Sequence, residues 1–193
     1  MTLASKITLL RLLLSPVFAT LVVCYGHSVR AGIPDERFRW WAVGVFIFAA
    51  TSDSIDGYIA RRYNQHSKFG AFMDPFADKT LLLTAIVFLT FVHWGDDWHI
   101  PVWFTILMIT RDIIIIGGIW ILHYLNSHVP IRPHWSGKVC TVTQMVLLGW
   151  IMLKIIPLDP IYPTILASLF TVWSGIEYFR EGLRQLPRNQ VTD

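Results

Sequence analysis

The sequence predicts an all-α fold, a polytopic membrane protein with six transmembrane helices. Of the 193 residues, 54% are hydrophobic and only 15% are charged, and the mean hydropathy is +0.51. A soluble domain carries about 25% charged residues, so a water-soluble fold of this composition would lack the polar sequence to cover its surface. The length suits one domain over 1–193. Backbone polar groups in lipid must be paired within their own segment, and we therefore expect the apolar segments to be helices.

Six apolar segments are long enough to cross a hydrocarbon core of about 30 Å, which takes about 20 helical residues. They lie near 7–26, 40–60, 72–93, 101–124, 136–157 and 160–180. An even number of spans places both termini on one side, and that side carries ten Lys or Arg residues against four on the other. The positive-inside bias then places the termini in the cytoplasm. Tryptophans at the opposite helix ends are expected to anchor at the headgroup level: Trp40, Trp41, Trp94, Trp98 and Trp103.

Two pairs of carboxylates occupy the facing ends of the second and third predicted helices. Asp53 and Asp56 are three residues apart, and Asp74 and Asp78 are four apart, so each pair shares a helical face. The stretch between the helices, 62–68, is short enough for an antiparallel return, and we expect all four carboxylates to converge on one site. Small or basic residues share the same faces: Gly57, Ala60, Arg61 and Gly70.

Four carboxylates in a membrane protein are expensive unless something neutralises them. Each Asp near a helix centre costs about 2.5–3.5 kcal/mol on insertion scales, so four would approach roughly 10 kcal/mol. Two divalent cations would balance the charge, and hard oxygen ligands suit Mg²⁺ or Mn²⁺. Solvated loop acids are the alternative, but the regular spacing with small residues and an arginine between the acids favours a metal site. Spacing alone leaves open which carboxylate could act as a base.

These residues carry a resemblance to a known family. They form the pattern D-x2-D-G-x2-A-R-x8-G-x3-D-x3-D, running from Asp53 to Asp78. It resembles the signature of the CDP-alcohol phosphatidyltransferases, with all eight defined positions matched. The resemblance implies two metal ions, Mg²⁺ or Mn²⁺, bound by Asp53, Asp56, Asp74 and Asp78, with Asp78 also the general base. It implies a CDP site formed by Asp53, Gly57, Ala60, Arg61 and Gly70, in which Gly57 and Arg61 hold the diphosphate.

The first predicted helix also contains polar residues. Thr8 and Arg11 are similar to the family's N-terminal pattern N-x2-T-x2-R, although Ser5 stands where that pattern has Asn. Two interpretations remain open for Arg11. It either belongs to a helix that contacts the nucleotide, or it snorkels from an apolar helix to the interface.

Arg111 and Asp112 lie in the middle of the fourth predicted helix, where an unpaired charge is expensive. A mutual or interhelical ion pair is one explanation. The other is that Arg111, together with Lys138, binds the phosphate of the acceptor, although Lys138 alone also fits a cytoplasmic positive-inside residue. The acidic motif is most like that of the family branch that uses glycerol 3-phosphate. That branch has Arg-Glu at the position of Arg111-Asp112 and a second Arg at the position of Ile119. The Arg-Asp pair is similar to that of the cardiolipin synthases, whose acceptor is phosphatidylglycerol.

The resemblance implies phosphatidyl transfer from CDP-diacylglycerol to glycerol 3-phosphate, giving phosphatidylglycerophosphate and CMP in phospholipid biosynthesis. Cardiolipin synthesis is the alternative within the family. A divalent-cation transporter using the carboxylates, and an inactive scaffold of the same fold, are alternatives from other classes. The implied partners are CDP-diacylglycerol, a polar or lipid alcohol, membrane lipid and a second copy of the chain, with no nucleic acid. The implied location is the bacterial inner membrane, with the active site facing the cytoplasm.

Overall fold

The computed structural model of the chain is all-helical, with no strand in the parts that it describes. Six helices follow one another: α1 (Leu3–Arg30), α2 (Glu36–Tyr63), α3 (Lys68–Phe91), α4 (Val102–Leu125), α5 (Trp135–Leu153) and α6 (Ile161–Gln185). The structure describes residues 3–63, 68–92, 94–95, 98–125, 135–155 and 158–185. Side chains are described over 10–52, 79–92, 94–95, 98–118, 135–155 and 158–184. Each of the six predicted helices is therefore confirmed as a helix.

The surface of these helices indicates a membrane protein. Among the described residues, two helices are long and apolar enough to cross a bilayer, Leu10–Arg30 and Trp135–Leu153. Large apolar side chains also point outward on α4 and α6, where Ile113 is 64% and Leu169 is 63% exposed. A soluble helix turns its apolar stripe inward, so apolar side chains on an outer face suit contact with lipid. Six membrane spans remain a prediction.

The chain divides into two compact units. Unit 1 comprises Met1–Ile100 and Leu148–Pro160, and unit 2 comprises Pro101–Leu147 and Ile161–Asp193. Within unit 1, α1 packs against both α2 and α3, and within unit 2, α4 packs against α6. The single domain over 1–193 remains a prediction.

The core of unit 1 follows helical spacing. Phe18 and Val22 of α1 are fully buried, one turn apart, and Phe46 and Ala49 of α2 are buried three residues apart. The rings of Phe18 and Phe46 pack with their centroids 5.8 Å apart. This apolar contact sets α1 against α2, the helix whose second half carries Asp53 and the rest of the first acidic face.

The connection between α1 and α2 is shorter than the sequence predicted. The expected helices ended at 26 and began at 40, whereas the observed ones end at Arg30 and begin at Glu36. Asp35 caps α2, because its Oδ1 accepts a hydrogen bond of 3.0 Å from the Arg37 N–H. Apolar windows identify the lipid-embedded part of a helix, and polar caps extend the helix beyond that part.

The predicted end of the fifth helix at 157 was wrong, because α5 ends at Leu153. Lys154 has a φ of 51°, a left-handed conformation that cannot continue a right-handed helix. Its ammonium group donates to the Trp94 carbonyl oxygen and, at 3.2 Å, to the Tyr25 hydroxyl oxygen. These hydrogen bonds tie the end of α5 to α1 and to the segment that follows α3.

The prediction that Trp94 anchors at the headgroups was also wrong. Trp94 is 0% exposed, and its indole Nε1 donates to the Ile151 carbonyl oxygen at 3.1 Å. The centroids of the Trp94 and Tyr25 rings lie 4.5 Å apart. An indole with a paired N–H can be buried, and hydropathy alone does not separate this case from an interfacial one. Trp40, at 54%, and Trp41, at 67%, are exposed as expected of anchors.

We expect Lys154→Met to lower the stability of unit 1 by about 2 kcal/mol, because it leaves the Trp94 carbonyl oxygen without this donor while keeping the apolar stem. A shift of about 4–8 °C in the midpoint of thermal unfolding of the detergent-solubilised protein would correspond to this loss. Ile155→Met is the matched control, since Ile155 is 69% exposed. Equal midpoints for the two variants would contradict a stabilising role of the ammonium group.

Candidate active site

The acidic motif lies on two helices of unit 1. Asp53 and Asp56 belong to the second half of α2, and Asp74 and Asp78 belong to the first half of α3. The backbone is helical at all four positions, so each pair retains the one-turn spacing that the sequence predicted. Helix α1 packs against both of these helices. The side chains of the whole motif lie outside the described residues: Asp53, Asp56, Gly57, Ala60, Arg61, Gly70, Asp74 and Asp78. Their convergence remains a prediction.

Arg11 of α1 is a buried charge in the same unit. Only 3% of the residue is exposed, which is contrary to an arginine that snorkels to the interface. Its carbonyl oxygen accepts a hydrogen bond of 3.2 Å from the Ser15 hydroxyl, one turn later in the helix. A buried guanidinium is costly unless anionic groups accept hydrogen bonds from it. The helices packed on α1 carry the four aspartates of the motif.

Arg111 is the centre of a polar cluster in unit 2. Its side chain is 12% exposed, and its Nη1 forms an ion pair of 2.7 Å with Asp112 Oδ1. On the opposite helix, Ser174 accepts a hydrogen bond of 2.5 Å from Arg111 Nη2. Arg111 Nε is buried and has no hydrogen-bond partner. The mutual ion pair, one of the two explanations that the sequence left open, is therefore present, and one buried N–H donor of the guanidinium remains available.

Tyr178 joins this cluster to the beginning of α5. The Arg111 guanidinium lies 5.7 Å from the centre of the Tyr178 ring. A Cβ atom at Gly137 would approach the Tyr178 hydroxyl oxygen to 3.1 Å, so α5 and α6 come close there because residue 137 has no side chain. The exposed Lys138 is the next residue along α5. Arg111 and the start of α5, next to Lys138, thus both lie against Tyr178.

Further polar groups are buried along α5 and α6 in unit 2. The Cys140 sulfur lies 3.5 Å from the Thr171 hydroxyl oxygen, and Gln144 Nε2 donates to this sulfur at 3.4 Å. Ser136 is 3% exposed, and its hydroxyl has no hydrogen-bond partner. Polar groups removed from water are normally paired, so the unpaired Ser136 hydroxyl is the exception among these buried polar groups.

Comparison with known proteins assigns the chain to a family. The sequence profile of the CDP-alcohol phosphatidyltransferases matches residues 1–176. The chain belongs to the CDP-alcohol phosphatidyltransferase family. A relative from Mycobacterium tuberculosis, named "Probable phosphatidylglycerophosphate synthase", is 35% identical over 95% of this chain and 83% of its own length. One from Escherichia coli K12, named "CDP-diacylglycerol--glycerol-3-phosphate 3-phosphatidyltransferase", is 34% identical over 89% of this chain and 90% of its own length.

The family's acidic motif is the candidate metal centre. Among the residues whose side chains are described, no group of three or more His, Cys, Asp or Glu residues is placed to hold a metal ion. The motif instead supplies four carboxylates on two consecutive helices, an all-oxygen donor set of the kind that Mg²⁺ and Mn²⁺ prefer. The donor chemistry therefore fits the divalent cations that the family resemblance implies.

The α6 residues that contact Arg111 are not among the residues predicted from the sequence. Ser174 and Tyr178 share a face of α6, four residues apart, and Gly175 lies where a Cβ would come within 3.5 Å of Arg111 Cγ. A signal was present, because small and polar residues recur at helical spacing in an otherwise apolar helix. The signal could not name Arg111 as the partner, since spacing within one helix does not specify the neighbouring helix.

Proposed function

We propose that this chain transfers the phosphatidyl group of CDP-diacylglycerol to glycerol 3-phosphate, forming phosphatidylglycerophosphate and releasing CMP. The observation that carries the proposal is the likeness over nearly the whole chain to two relatives whose names both specify this product or this reaction. The complete acidic motif supports an active enzyme over a scaffold. Family membership gives the carboxylates a catalytic purpose, and this favours an enzyme over a cation transporter.

The surroundings of Arg111 support a phosphorylated acceptor. Two departures from the glycerol 3-phosphate branch favour cardiolipin synthesis instead: Asp112 stands where that branch has Glu, and Ile119 stands where it has a second Arg. The 2.7 Å ion pair between Arg111 and Asp112 gives Asp112 a local role that requires no phosphatidylglycerol. The buried, unpaired Arg111 Nε supplies a donor suited to a phosphate oxygen, and Lys138 is proposed as the second cation.

The proposed reaction is a substitution at the lipid-linked phosphorus of CDP-diacylglycerol. A hydroxyl oxygen of glycerol 3-phosphate bonds to this phosphorus, and the diphosphate P–O bond breaks so that its bridging oxygen leaves with CMP. Asp78 is proposed to accept the proton of the attacking hydroxyl. Gly57 and Arg61 are proposed to hold the CDP diphosphate, with Asp53, Ala60 and Gly70 completing the nucleotide site.

Divalent cations are proposed as cofactors of this site. Asp53, Asp56, Asp74 and Asp78 are the residues that would hold two Mg²⁺ or Mn²⁺ ions. When bound, such ions would stabilise the negative charge that develops on the phosphoryl oxygens and on CMP. The four aspartates, in the second half of α2 and the first half of α3, would position these ions beside the diphosphate.

We also propose the setting of the enzyme. It would cross the bacterial inner membrane six times, with both termini and the acidic motif on the cytoplasmic side, in agreement with the excess of Lys and Arg there. It would form a single domain and assemble as a homodimer. The long chains of CDP-diacylglycerol would then remain in the bilayer while the polar acceptor arrives from the cytoplasm.

We expect purified protein in detergent to release CMP from CDP-diacylglycerol when glycerol 3-phosphate and Mg²⁺ or Mn²⁺ are present. With phosphatidylglycerol in place of glycerol 3-phosphate, we expect release at least about ten-fold slower, a difference of about 1.4 kcal/mol in the barrier. Chelation by EDTA followed by readdition of the cation is the control for metal dependence. Faster release with phosphatidylglycerol would identify a cardiolipin synthase and contradict the proposal.

A further inference from the structure

The Arg111 side chain is held from four directions in unit 2. Asp112 accepts a hydrogen bond from Nη1 at 2.7 Å, and Ser174 accepts one from Nη2 at 2.5 Å. The Tyr178 ring lies 5.7 Å from the guanidinium carbon, and Gly175 lies against the aliphatic part of the side chain. Three of these four groups belong to α6, a helix that carries none of the predicted site residues.

These contacts fix the direction of the guanidinium plane. The aliphatic stem of arginine has several rotatable bonds, and holding it in one rotamer before the ligand arrives reduces the entropy cost of binding. Ser174 is 0% exposed, and its hydrogen bond to Nη2 favours the arginine rotamer that the structure shows. The aromatic face adds a cation–π attraction that favours the same position.

We propose that Ser174 and Tyr178 are positioning residues that hold Arg111 ready for the phosphate of the acceptor and thereby set the preference for a phosphorylated alcohol. This inference rests on the proposed function, because it assigns Arg111 to the phosphate of glycerol 3-phosphate. Asp112 neutralises part of the arginine charge, while Ser174 and Tyr178, both uncharged, orient the guanidinium without competing electrostatically with the incoming phosphate.

The first test uses Ser174→Ala in the full-length protein. We expect the KM for glycerol 3-phosphate to rise about ten-fold, as for the loss of a hydrogen bond to a charged group, with the KM for CDP-diacylglycerol unchanged. The midpoint of thermal unfolding should fall by a few degrees, because the lost hydrogen bond is buried. Ser168→Ala is the matched control on α6, because the Ser168 hydroxyl donates to the Ile165 carbonyl oxygen of its own helix at 2.7 Å. An unchanged KM for glycerol 3-phosphate in Ser174→Ala would overturn the inference.

A double-variant cycle separates positioning from a merely structural role. If Ser174 acts through Arg111, Ser174→Ala adds no further rise in KM when Arg111→Gln is already present. An additional ten-fold rise in that background would overturn the positioning role. An unchanged KM in Arg111→Gln alone would instead contradict the acceptor contact in the proposed function, so the two failures are distinguishable.

The aromatic contact is tested with two substitutions of Tyr178. Tyr178→Phe keeps the ring and should retain the KM for glycerol 3-phosphate to within about two-fold, whereas Tyr178→Leu should raise it by about three- to ten-fold. Equal KM values for the Phe and Leu variants would contradict the positioning of Arg111 by the Tyr178 ring. The midpoint of thermal unfolding, measured for both, identifies any variant that fails to fold.

Discussion

Asp78→Asn is expected to lower the rate of CMP release by about 10²–10⁴-fold, the usual contribution of a general base. Asparagine has nearly the same shape as aspartate but does not accept a proton from the attacking hydroxyl at neutral pH. The measurement is the kcat for CMP release from CDP-diacylglycerol with saturating glycerol 3-phosphate. Asp78 lies in the first half of α3, and the substitution changes only one terminal atom of the side chain, so the helix should stay intact.

Two controls give this result its meaning. Asp35→Asn in the same unit should leave kcat unchanged, because asparagine also caps a helix well and Asp35 lies at the opposite end of α2 from the acidic motif. A titration with Mn²⁺ then separates the two roles proposed for Asp78. Recovery of activity at high Mn²⁺ would mean that the variant had lost only metal affinity, and the general-base assignment would be wrong.

Arg111→Gln is expected to raise the KM for glycerol 3-phosphate by about a hundred-fold, equivalent to about 2.7 kcal/mol. Arg111 is largely buried, and a charge-assisted hydrogen bond to phosphate is strong where water is scarce. The KM for CDP-diacylglycerol should change little, because the nucleotide is assigned to the acidic motif. The measurement is the initial rate of CMP release against the concentration of each substrate in turn.

The substitution also leaves the Asp112 carboxylate without its 2.7 Å partner, which could lower stability independently of binding. Arg111→Gln combined with Asp112→Asn also removes the carboxylate charge and should restore the midpoint of thermal unfolding while the KM stays high. Arg184→Gln is the matched control, since the Arg184 side chain is 79% exposed. A KM that returned to the wild-type value in the double variant would contradict phosphate binding by Arg111.

Much of the fold could be predicted because it depends on local sequence. Runs of about 20 apolar residues can be satisfied in lipid only as helices, and all six predicted helices occur. Their ends were less predictable. Asp35 caps α2 outside its apolar stretch, and Lys154 terminates α5 through a left-handed φ of 51°. Both features depend on polar contacts that an apolar window does not contain.

The surroundings of Arg111 show where sequence reasoning ends. An arginine beside an aspartate in an apolar helix suits both an ion pair and a phosphate ligand, and the sequence left the two open. The structure confirms the ion pair and adds Ser174, a residue 63 positions further along the chain. The prediction for Trp94 was wrong for the same reason, because the sequence does not show whether an indole at a helix end faces the headgroups or fills a core.

The sequence by itself determined the membrane class, the six helices, the acidic motif and the family that the motif identifies. These properties follow from composition and from spacing within one helix, which the 3.6-residue period fixes without reference to other parts of the chain. Only the tertiary structure decided that Arg11 and Trp94 are buried, that Lys154 ties α5 to α1, and that α6 supplies the partners of Arg111. Such contacts join helices far apart in sequence, and their partners are selected by packing.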